Sequence, residues 1–304
     1  MKTPARVIDG NVVVTPPGAG TAKRVAAHQQ RAATRRTLIA LSIVLAAACS
    51  TPGGQLNDRA LQRGYQVVDV DTGSRALTVY RSPHQEPGDG RWHVYLDGDG
   101  TPWHRGRSPA RDPTARNSLV LDLMDADSRP RLLLHRPCYG RRTLPENCTP
   151  ALWTYARYSG TVVAEMDAAL DILRDQWGVR EIVLIGYSGG GTLGRLLAAR
   201  REDVVALVTV AANLDHAAWT RHHGYQPLTS SLRVTDMPPL EAGILQWHLA
   251  GEEDAVVPPA VTRRGLARDR HARLEIIPGF DHRCCWPAIW PERLRSLQDE
   301  LATK

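Results

Sequence analysis

From residue 59 onward, short apolar or alternating runs are interspersed with longer segments whose apolar residues recur at helical spacing. The strand-like runs cover 65–70, 76–80, 92–96, 131–135, 182–185, 204–211, 245–250 and 273–277. The helix-like segments cover 117–124, 162–177, 192–200, 261–267 and 291–301. Strands that are nearly all apolar and alternate with helices predict an α/β fold: a mostly parallel central sheet with helices on both faces.

One stretch, 181–195, combines three signals in order. An apolar, β-branched run at 182–185 leads into Gly186-Tyr187-Ser188-Gly189-Gly190, and a helical segment follows at once. A serine at such a strand–turn–helix apex has strained backbone, and bulky residues two positions either side would collide. The following helix directs free N–H groups at any oxyanion that develops there. The pattern therefore predicts a nucleophile; the alternative is a glycine-rich turn with an idle serine.

Two segments fit the alternation poorly. Residues 213–237 separate two strands and are rich in His, Trp and polar residues, which predicts a small cap or lid over the site. Residues 102–116 are rich in Pro and Arg and are predicted to form a surface loop near the end of the third strand.

The formal charge of +6 lies in the first 48 residues, which contain seven Lys or Arg and one Asp. The remainder is balanced, with equal numbers of basic and acidic residues, so no nucleic-acid partner is expected. Residues 38–48 form an apolar run too short to span a bilayer, preceded by Arg35-Arg36 and typical of an export signal. We therefore divide the chain into an export signal (1–48), a tether (49–64) and a catalytic domain (65–304).

Three alanines followed by Cys49 resemble a bacterial lipoprotein cleavage site, and residues 34–39 loosely resemble a twin-arginine signal. The resemblance implies lipidation of Cys49 and a location on the periplasmic side of a bacterial membrane. An ordinary cleaved secretory signal and a cytoplasmic protein with an apolar N-terminal helix are the alternatives.

Four further cysteines are available for disulfides in an oxidising compartment: Cys138, Cys148, Cys284 and Cys285. A bridge closing the polar loop between Cys138 and Cys148 is plausible, as is a vicinal bridge between the other two, but three pairings remain open. A zinc site is disfavoured because no C-x-x-C pair accompanies a second ligand pair.

With Ser188 and two later motifs, the chain resembles the α/β-hydrolase superfamily over about residues 65–302. Gly251 to Pro258 resembles the family loop that carries the triad acid, at Asp254. Gly279-Phe280-Asp281-His282 resembles the histidine loop. The resemblance implies that Ser188 attacks an acyl carbon, His282 transfers the proton and Asp254 orients the imidazole. The rival acids are Asp215, Glu252 and Glu253, and the rival histidines are His216, His222 and His223.

The oxyanion donors implied by this resemblance are the backbone amides of Gly189 and Asp99, with Gly98 as the next choice. The Asp97-Gly98-Asp99-Gly100 loop has aspartate where the family commonly has histidine. A calcium loop is the alternative there, but Pro102 and Ser108 stand where an EF-hand needs Gly and Glu. Trp219, Trp286 and Trp290 either wall an acyl pocket or are structural.

More narrowly, three segments resemble a group of uncharacterised proteobacterial hydrolases: residues 213–220, the 138–148 loop and residues 282–286. Together these resemblances imply a serine hydrolase that cleaves a small-molecule ester, without a metal or organic cofactor. Peptide or thioester cleavage by the same triad is one alternative. The other is a non-catalytic envelope lipoprotein that uses the fold as a binding module.

Overall fold

A computed structural model describes residues 51–83 and 89–303. Its main sheet has eight strands in the order β1-β2-β6-β3-β7-β8-β9-β10. These strands are β1 (Gln66–Asp71), β2 (Ala76–Arg81), β3 (Arg91–Leu96), β6 (Arg131–Leu134), β7 (Glu181–Tyr187), β8 (Val204–Val210), β9 (Leu245–Gly251) and β10 (Arg273–Ile277). A separate hairpin pairs β4 (Trp103–His104) with β5 (Ser108–Pro109). The predicted mostly parallel sheet is confirmed.

Only the β1–β2 and β2–β6 pairs are antiparallel; every other neighbouring pair in the main sheet is parallel. The carboxyl ends of β3, β7, β8, β9 and β10 therefore lie along one edge. Loops that leave this edge converge, and ligands of open α/β sheets bind there.

In the part of the chain that the structure describes, the α-helices are α1 (Pro52–Gln62), α2 (Leu119–Asp125), α3 (Gly160–Trp177), α4 (Gly189–Ala198), α5 (His216–His223), α6 (Pro259–Gly265) and α7 (Trp286–Ala302). Short 3₁₀ turns lie at Pro150–Trp153 and Val234–Asp236. In β7, Ile182 and Leu184 pack with α3 and α4, whereas Val183 and Ile185 pack with α1, α2 and α7. This two-residue period places one core on each face of the sheet.

The tether prediction is wrong for the part of 49–64 that the structure describes. Thr51 caps α1 by accepting a hydrogen bond from the Gly54 amide at 3.1 Å, and Pro52 occupies the first turn. Leu56 and Ala60, four residues apart, are buried against the sheet. Polar and small residues obscured this short amphipathic helix. The signal at 1–48 and the lipidation site at Cys49 lie outside the described residues and stay predictions.

The segment 213–237 contains α5 and one 3₁₀ turn, joined by irregular backbone. Leu232 donates its amide to the Tyr158 carbonyl at 3.0 Å, and the Trp219 indole donates to the Val256 carbonyl at 2.7 Å. The segment therefore connects the region before α3 with the loop that follows β9. None of the helices in the described ranges combines the length and apolar character needed to cross a bilayer.

Candidate active site

Ser188 lies between the last residue of β7 and the first residue of α4, with φ 52° and ψ −120°. This left-handed φ is strained for a residue with a side chain, and the surroundings hold it. The Ser188 amide donates to the Val210 carbonyl at 2.9 Å, and its carbonyl accepts from Asn213 at 3.2 Å. A Cβ at Gly190 would lie only 2.1 Å from the Leu96 carbonyl oxygen, so glycine is required two residues after the serine.

Asp254 and His282 are hydrogen-bonded, with 2.8 Å between Asp254 Oδ2 and His282 Nδ1. The other carboxylate oxygen of Asp254 accepts the amides of Val256 at 2.9 Å and Val257 at 2.7 Å. The Asp254 side chain is fully buried. Three contacts therefore orient one carboxylate, which in turn orients the imidazole; this is the arrangement of an acid and base in a triad.

The loops that carry these two residues follow the adjacent parallel strands β9 and β10. Glu253 donates its amide to the Phe280 carbonyl at 2.9 Å, which joins the loops beyond the sheet edge. The Tyr187 ring lies 5.1 Å from the His282 ring, and the Tyr187 hydroxyl donates to the His282 carbonyl at 3.0 Å. His282 is therefore packed against the residue that precedes Ser188.

The hydroxyl of Ser188 has no hydrogen-bond partner within residues 51–83 and 89–303, His282 included. The Asp254–His282 pair is thus formed, whereas the hydrogen bond between the Ser188 hydroxyl and His282 is not. Catalytic hydrogen bonds are often long in unliganded enzymes and shorten when substrate binds.

The rival residues have other contacts. Asp215 caps α5 by accepting the Ala218 amide at 2.9 Å and pairs with Arg264. His216 contacts the Leu232 carbonyl at 3.0 Å, and His223 contacts the Val256 carbonyl at 2.9 Å. None of these side chains contacts the Asp254–His282 pair, so the geometry favours the acid and base inferred from the family resemblance.

The loop after β3 lies directly against the serine: a Cβ at Gly98 would be 3.3 Å from the Ser188 Cβ. The Gly98 amide, however, already donates to Asp97 Oδ1 at 2.7 Å. The choice of Gly98 as an oxyanion donor is therefore wrong. The amide of Asp99 has no partner among the described residues, and the amide of Gly189 opens α4. These two amides are the candidate oxyanion donors.

The side chain of Asp99 is the centre of a buried network, here called the Asp99 cluster. Its members are Asp99, Arg136, Tyr139, Arg157 and Tyr158. Asp99 Oδ1 accepts from Arg136 at 2.8 Å, and Oδ2 accepts from Arg157 at 2.9 Å and from the Tyr158 hydroxyl at 2.7 Å. Both arginines are about 96% buried or more. Burial alone would raise the pKa of Asp99, but the two guanidinium groups outweigh it and hold the pKa well below its usual value.

The same cluster holds the backbone that flanks the Asp99 amide. Arg136 donates to the Asp97 carbonyl at 2.9 Å, and the Tyr139 hydroxyl donates to the Asp99 carbonyl at 3.0 Å. The peptide groups on both sides of the Gly98–Asp99 peptide are thus fixed. A Cβ at Gly189 would lie 2.0 Å from Asp99 Oδ1, so the cluster also contacts the second candidate donor. The cluster therefore fixes the position of both candidate donors.

Sequence reasoning missed this cluster, and it chose Asp99 only for its amide. One position could have indicated it. Arg136 lies two residues after the end of β6, which is the parallel neighbour of β3, so its side chain could be expected near the loop that carries Asp99. The calcium-loop alternative is disfavoured because the Asp99 carboxylate binds two arginines and Asp97 accepts from Ser118 at 2.8 Å.

Disulfides join Cys138 to Cys148 and Cys284 to Cys285. The first closes the loop that begins beside Arg136 and Tyr139, and the second lies two residues beyond His282. Among the tryptophans considered for an acyl pocket, Trp286 and Trp290 are buried, and they donate to the Asp281 carbonyl and to the Tyr95 hydroxyl. Both are structural, whereas Trp219 is half-buried beside Val256.

Comparisons with known proteins agree with this architecture. A family model described as the alpha/beta hydrolase fold matches residues 132–231, which include Ser188. Proline iminopeptidase from Mycobacterium smegmatis is similar in structure, with TM-score 0.56 and 15% identity over 79% of this chain and 100% of its own. This protein has the α/β-hydrolase fold.

Two further α/β-hydrolase structures show the same likeness. Est1E from Butyrivibrio proteoclasticus, solved with ferulic acid bound, has TM-score 0.56 and 14% identity over 78% of this chain and 100% of its own. An alpha-beta serine hydrolase homologue from Coxiella burnetii has TM-score 0.51 and 15% identity over 78% and 97%. Comparison with curated proteins by sequence gives no significant match. At these identities the structural likeness shows only the fold. Membership of the group of uncharacterised proteobacterial hydrolases stays a prediction.

Proposed function

We propose that this α/β-hydrolase is a serine hydrolase that cleaves carboxylic esters through an acyl-enzyme on Ser188. The observation that carries the proposal is the Asp254–His282 hydrogen bond between the loops after β9 and β10, at the same sheet edge as a serine in strained backbone at the end of β7. Structures named as an esterase and as a proline iminopeptidase both share this fold. We choose esters because the sequence resemblance implies them.

In the proposed reaction, His282 Nε2 removes the proton from the Ser188 hydroxyl as its oxygen attacks the substrate carbonyl carbon. Asp254 keeps the proton on His282 Nδ1 and stabilises the imidazolium that forms. The amides of Gly189 and Asp99 donate to the oxyanion. The imidazolium then protonates the alcohol as it leaves, and a water molecule activated by His282 hydrolyses the acyl-enzyme. No metal or organic cofactor takes part in this scheme.

A fluorophosphonate probe tests the nucleophile. The wild-type protein is expected to become covalently labelled, and Ser188→Ala to lose the label, while Ser74→Ala, at an exposed serine far from the site in sequence, keeps it. Absence of labelling in folded wild-type protein would refute the proposal and favour a binding module. Labelling that survives Ser188→Ala would place the nucleophile elsewhere.

A panel of esters graded by acyl length, with matched amides and thioesters, tests the bond that is cleaved. We expect ester turnover that depends on Ser188, with the best acyl length showing the highest kcat/KM. Faster turnover of the amide or thioester of the same acyl group would replace the esterase proposal with a peptidase or thioesterase.

We also propose that the protein is exported and anchored to a membrane through a lipid on Cys49. The support is the sequence of residues 35–54, since the described structure begins at Thr51. Wild-type protein is expected to incorporate labelled fatty acid, whereas Cys49→Ala is not. Incorporation by Cys49→Ala, or none by the wild type, would contradict the anchor.

A further inference from the structure

Residues 101–116 form a protruding, positively charged element, here called the arginine hairpin. Arg105 and Gly106 form its tip, both with positive φ, and a Cβ at Gly106 would meet no atom within 4 Å. Two positive φ angles in a two-residue turn are typical of a tight hairpin. The exposed side chains include Trp103, which is 40% exposed, and four arginines: Arg105, Arg107, Arg111 and Arg116.

The charge of this element is not neutralised locally. None of the four arginine side chains forms an ion pair with any residue that the structure describes. The one acid in the segment, Asp112, accepts the amides of Gly53 at 2.8 Å and Thr114 at 2.9 Å instead. The equal numbers of basic and acidic residues after residue 48 therefore conceal a local excess of positive charge on one face.

The beginning of the described chain lies on the same face. The Gly53 amide donates to Asp112, and the Thr51 hydroxyl donates to the Arg142 carbonyl at 3.2 Å. Thr51 follows Cys49 by two residues, and two residues span at most about 7 Å. A lipid on Cys49 would therefore hold the arginine hairpin close to the membrane surface.

We propose that the arginine hairpin docks on an anionic lipid surface, with its arginines on lipid phosphates and Trp103 at the headgroup level. Guanidinium groups bind phosphate oxygens bidentately, and tryptophan favours the membrane–water interface. Basic residues near an anionic bilayer add to the binding energy of an acyl chain. The inference rests on the proposed anchor and is independent of the ester bond assigned to the site.

Docking would also orient the candidate active site. Trp103 follows Asp99 by four residues, so the two lie within about 14 Å of each other. The region around Ser188, which lies against the Gly98 backbone, would then be close to the lipid surface, where substrates that partition into membranes are concentrated.

The test compares two triple variants of the full chain, each carrying Cys49→Ser so that no acyl chain contributes. One neutralises Arg105, Arg107 and Arg111 by substitution with Gln. The matched control neutralises Arg263, Arg268 and Arg270, which are also exposed and form no ion pair within the described residues. Binding is measured by cosedimentation with phosphatidylcholine vesicles, with and without phosphatidylglycerol, at low and high salt.

The Cys49→Ser parent is expected to bind the anionic vesicles more tightly than the neutral ones, and more weakly at high salt. The hairpin variant should lose roughly tenfold to a hundredfold in affinity, since each arginine near an anionic surface contributes roughly fivefold. Equal losses in both triple variants, or none in the hairpin variant, would overturn the proposal. So would equal binding of the parent to neutral vesicles.

Two further readouts separate the possible causes. A polarity-sensitive fluorophore at Ser108→Cys should shift to the blue on anionic vesicles, whereas the same fluorophore at Arg268→Cys should not. Turnover of a water-soluble ester should be unchanged in the hairpin variant; a loss there would mean that the hairpin contacts substrate instead of lipid. Whether Cys49 carries a lipid is measured separately, by fatty-acid incorporation. The vesicle experiment does not depend on that result, because every protein in it carries Cys49→Ser.

Discussion

The loops on the two sides of Ser188 are held in place by different interactions. On the oxyanion side, Asp99 is bound by two buried arginines and two tyrosines, and a disulfide closes the adjacent loop. On the histidine side, the neighbours of His282 are exposed, and Asp281 accepts the amides of Arg283 and Cys284 at its rim. Within residues 51–83 and 89–303, the hydrogen bonds to His282 itself come from the Asp254 carboxylate and the Tyr187 hydroxyl.

This difference matches the proposed roles of the two loops, which are to hold the oxyanion donors and to carry the general base. Oxyanion donors act by being pre-organised, so any movement reduces their effect. A general base must instead reach the serine and then the leaving group, and the Ser188 hydroxyl is not yet hydrogen-bonded to His282. Buried ion pairs thus fix the loop with the candidate oxyanion donors, whereas the candidate base lies in a more exposed loop with fewer contacts to its side chain.

The largest effect is expected from Asp99→Asn, which leaves two buried guanidinium groups without a counter-charge. Breaking a buried ion pair costs about 3–5 kcal/mol of unfolding free energy. The backbone amide at this position remains but loses the contacts that align it, so we expect kcat to fall by up to about 10²–10³-fold, the range found when an oxyanion donor is removed. Urea denaturation and steady-state kinetics measure the two. Asp269→Asn, which breaks the buried Asp269–Arg195 pair elsewhere, should destabilise without lowering kcat of the folded protein. Equal kinetic losses would contradict the role of the cluster.

Removal of the Cys138–Cys148 disulfide with a double alanine variant is expected to lower the unfolding free energy by about 3 kcal/mol, because it frees a loop of sequence separation 10. The Cys284–Cys285 disulfide joins adjacent residues and closes no loop of comparable length. Its removal should therefore change the melting temperature little. Calorimetry of both variants decides. A larger loss from the second pair would reverse the comparison.

A pH-dependent effect is expected from His135, which lies beside Arg136 and packs edge-on against Tyr80. Burial, reinforced by Arg136, lowers the pKa of His135 to about 3. The unfolded chain takes up a proton as the pH falls below about 6.5, but the folded ring does not, so stability falls with pH in that window.

His135→Gln removes this titration, so its unfolding free energy should drop by roughly 2 kcal/mol less between pH 7 and pH 4.5 than that of the wild type. Urea denaturation across the pH range measures the slope. Asp281→Asn, on the exposed side, should leave the slope above pH 5 unchanged. Identical slopes for His135→Gln and the wild type would refute the assignment.

The smallest effect is expected from Arg136→Lys. The hydrogen bonds to Asp99 Oδ1 and to the Asp97 carbonyl come from two different guanidinium nitrogens. The single nitrogen of lysine lacks this planar, spaced geometry, so we expect the Asp99 amide to lose alignment. We expect kcat to fall about tenfold, with KM changed less than about twofold. Arg201→Lys, at a buried arginine paired with Asp167 and Asp203, is the control and should leave kcat unchanged. A pure KM effect would assign Arg136 to substrate binding.

Sequence alone was enough for the features that depend on local pattern. The short, nearly all apolar runs and the intervening helices predicted the sheet, and the strand–turn–helix signal placed Ser188 between β7 and α4. The family resemblance predicted Asp254 and His282 as acid and base, and the structure places their side chains 2.8 Å apart; their catalytic role stays a prediction. The exceptions were α1, where small and polar residues hid a helix, and Gly98, whose amide a neighbouring side chain had already taken.

Only the tertiary structure decided which distant groups meet. Asp99 follows β3, whereas Arg136 and Arg157 lie at the two ends of the connection between β6 and α3. No periodicity in the sequence records that their charges share one buried site. The cysteine pairing and the charged face beside Thr51 likewise depend on how loops lie in space. Local patterns reflect each residue's own burial and backbone preference, whereas ion pairs and surface fields depend on partners far along the chain.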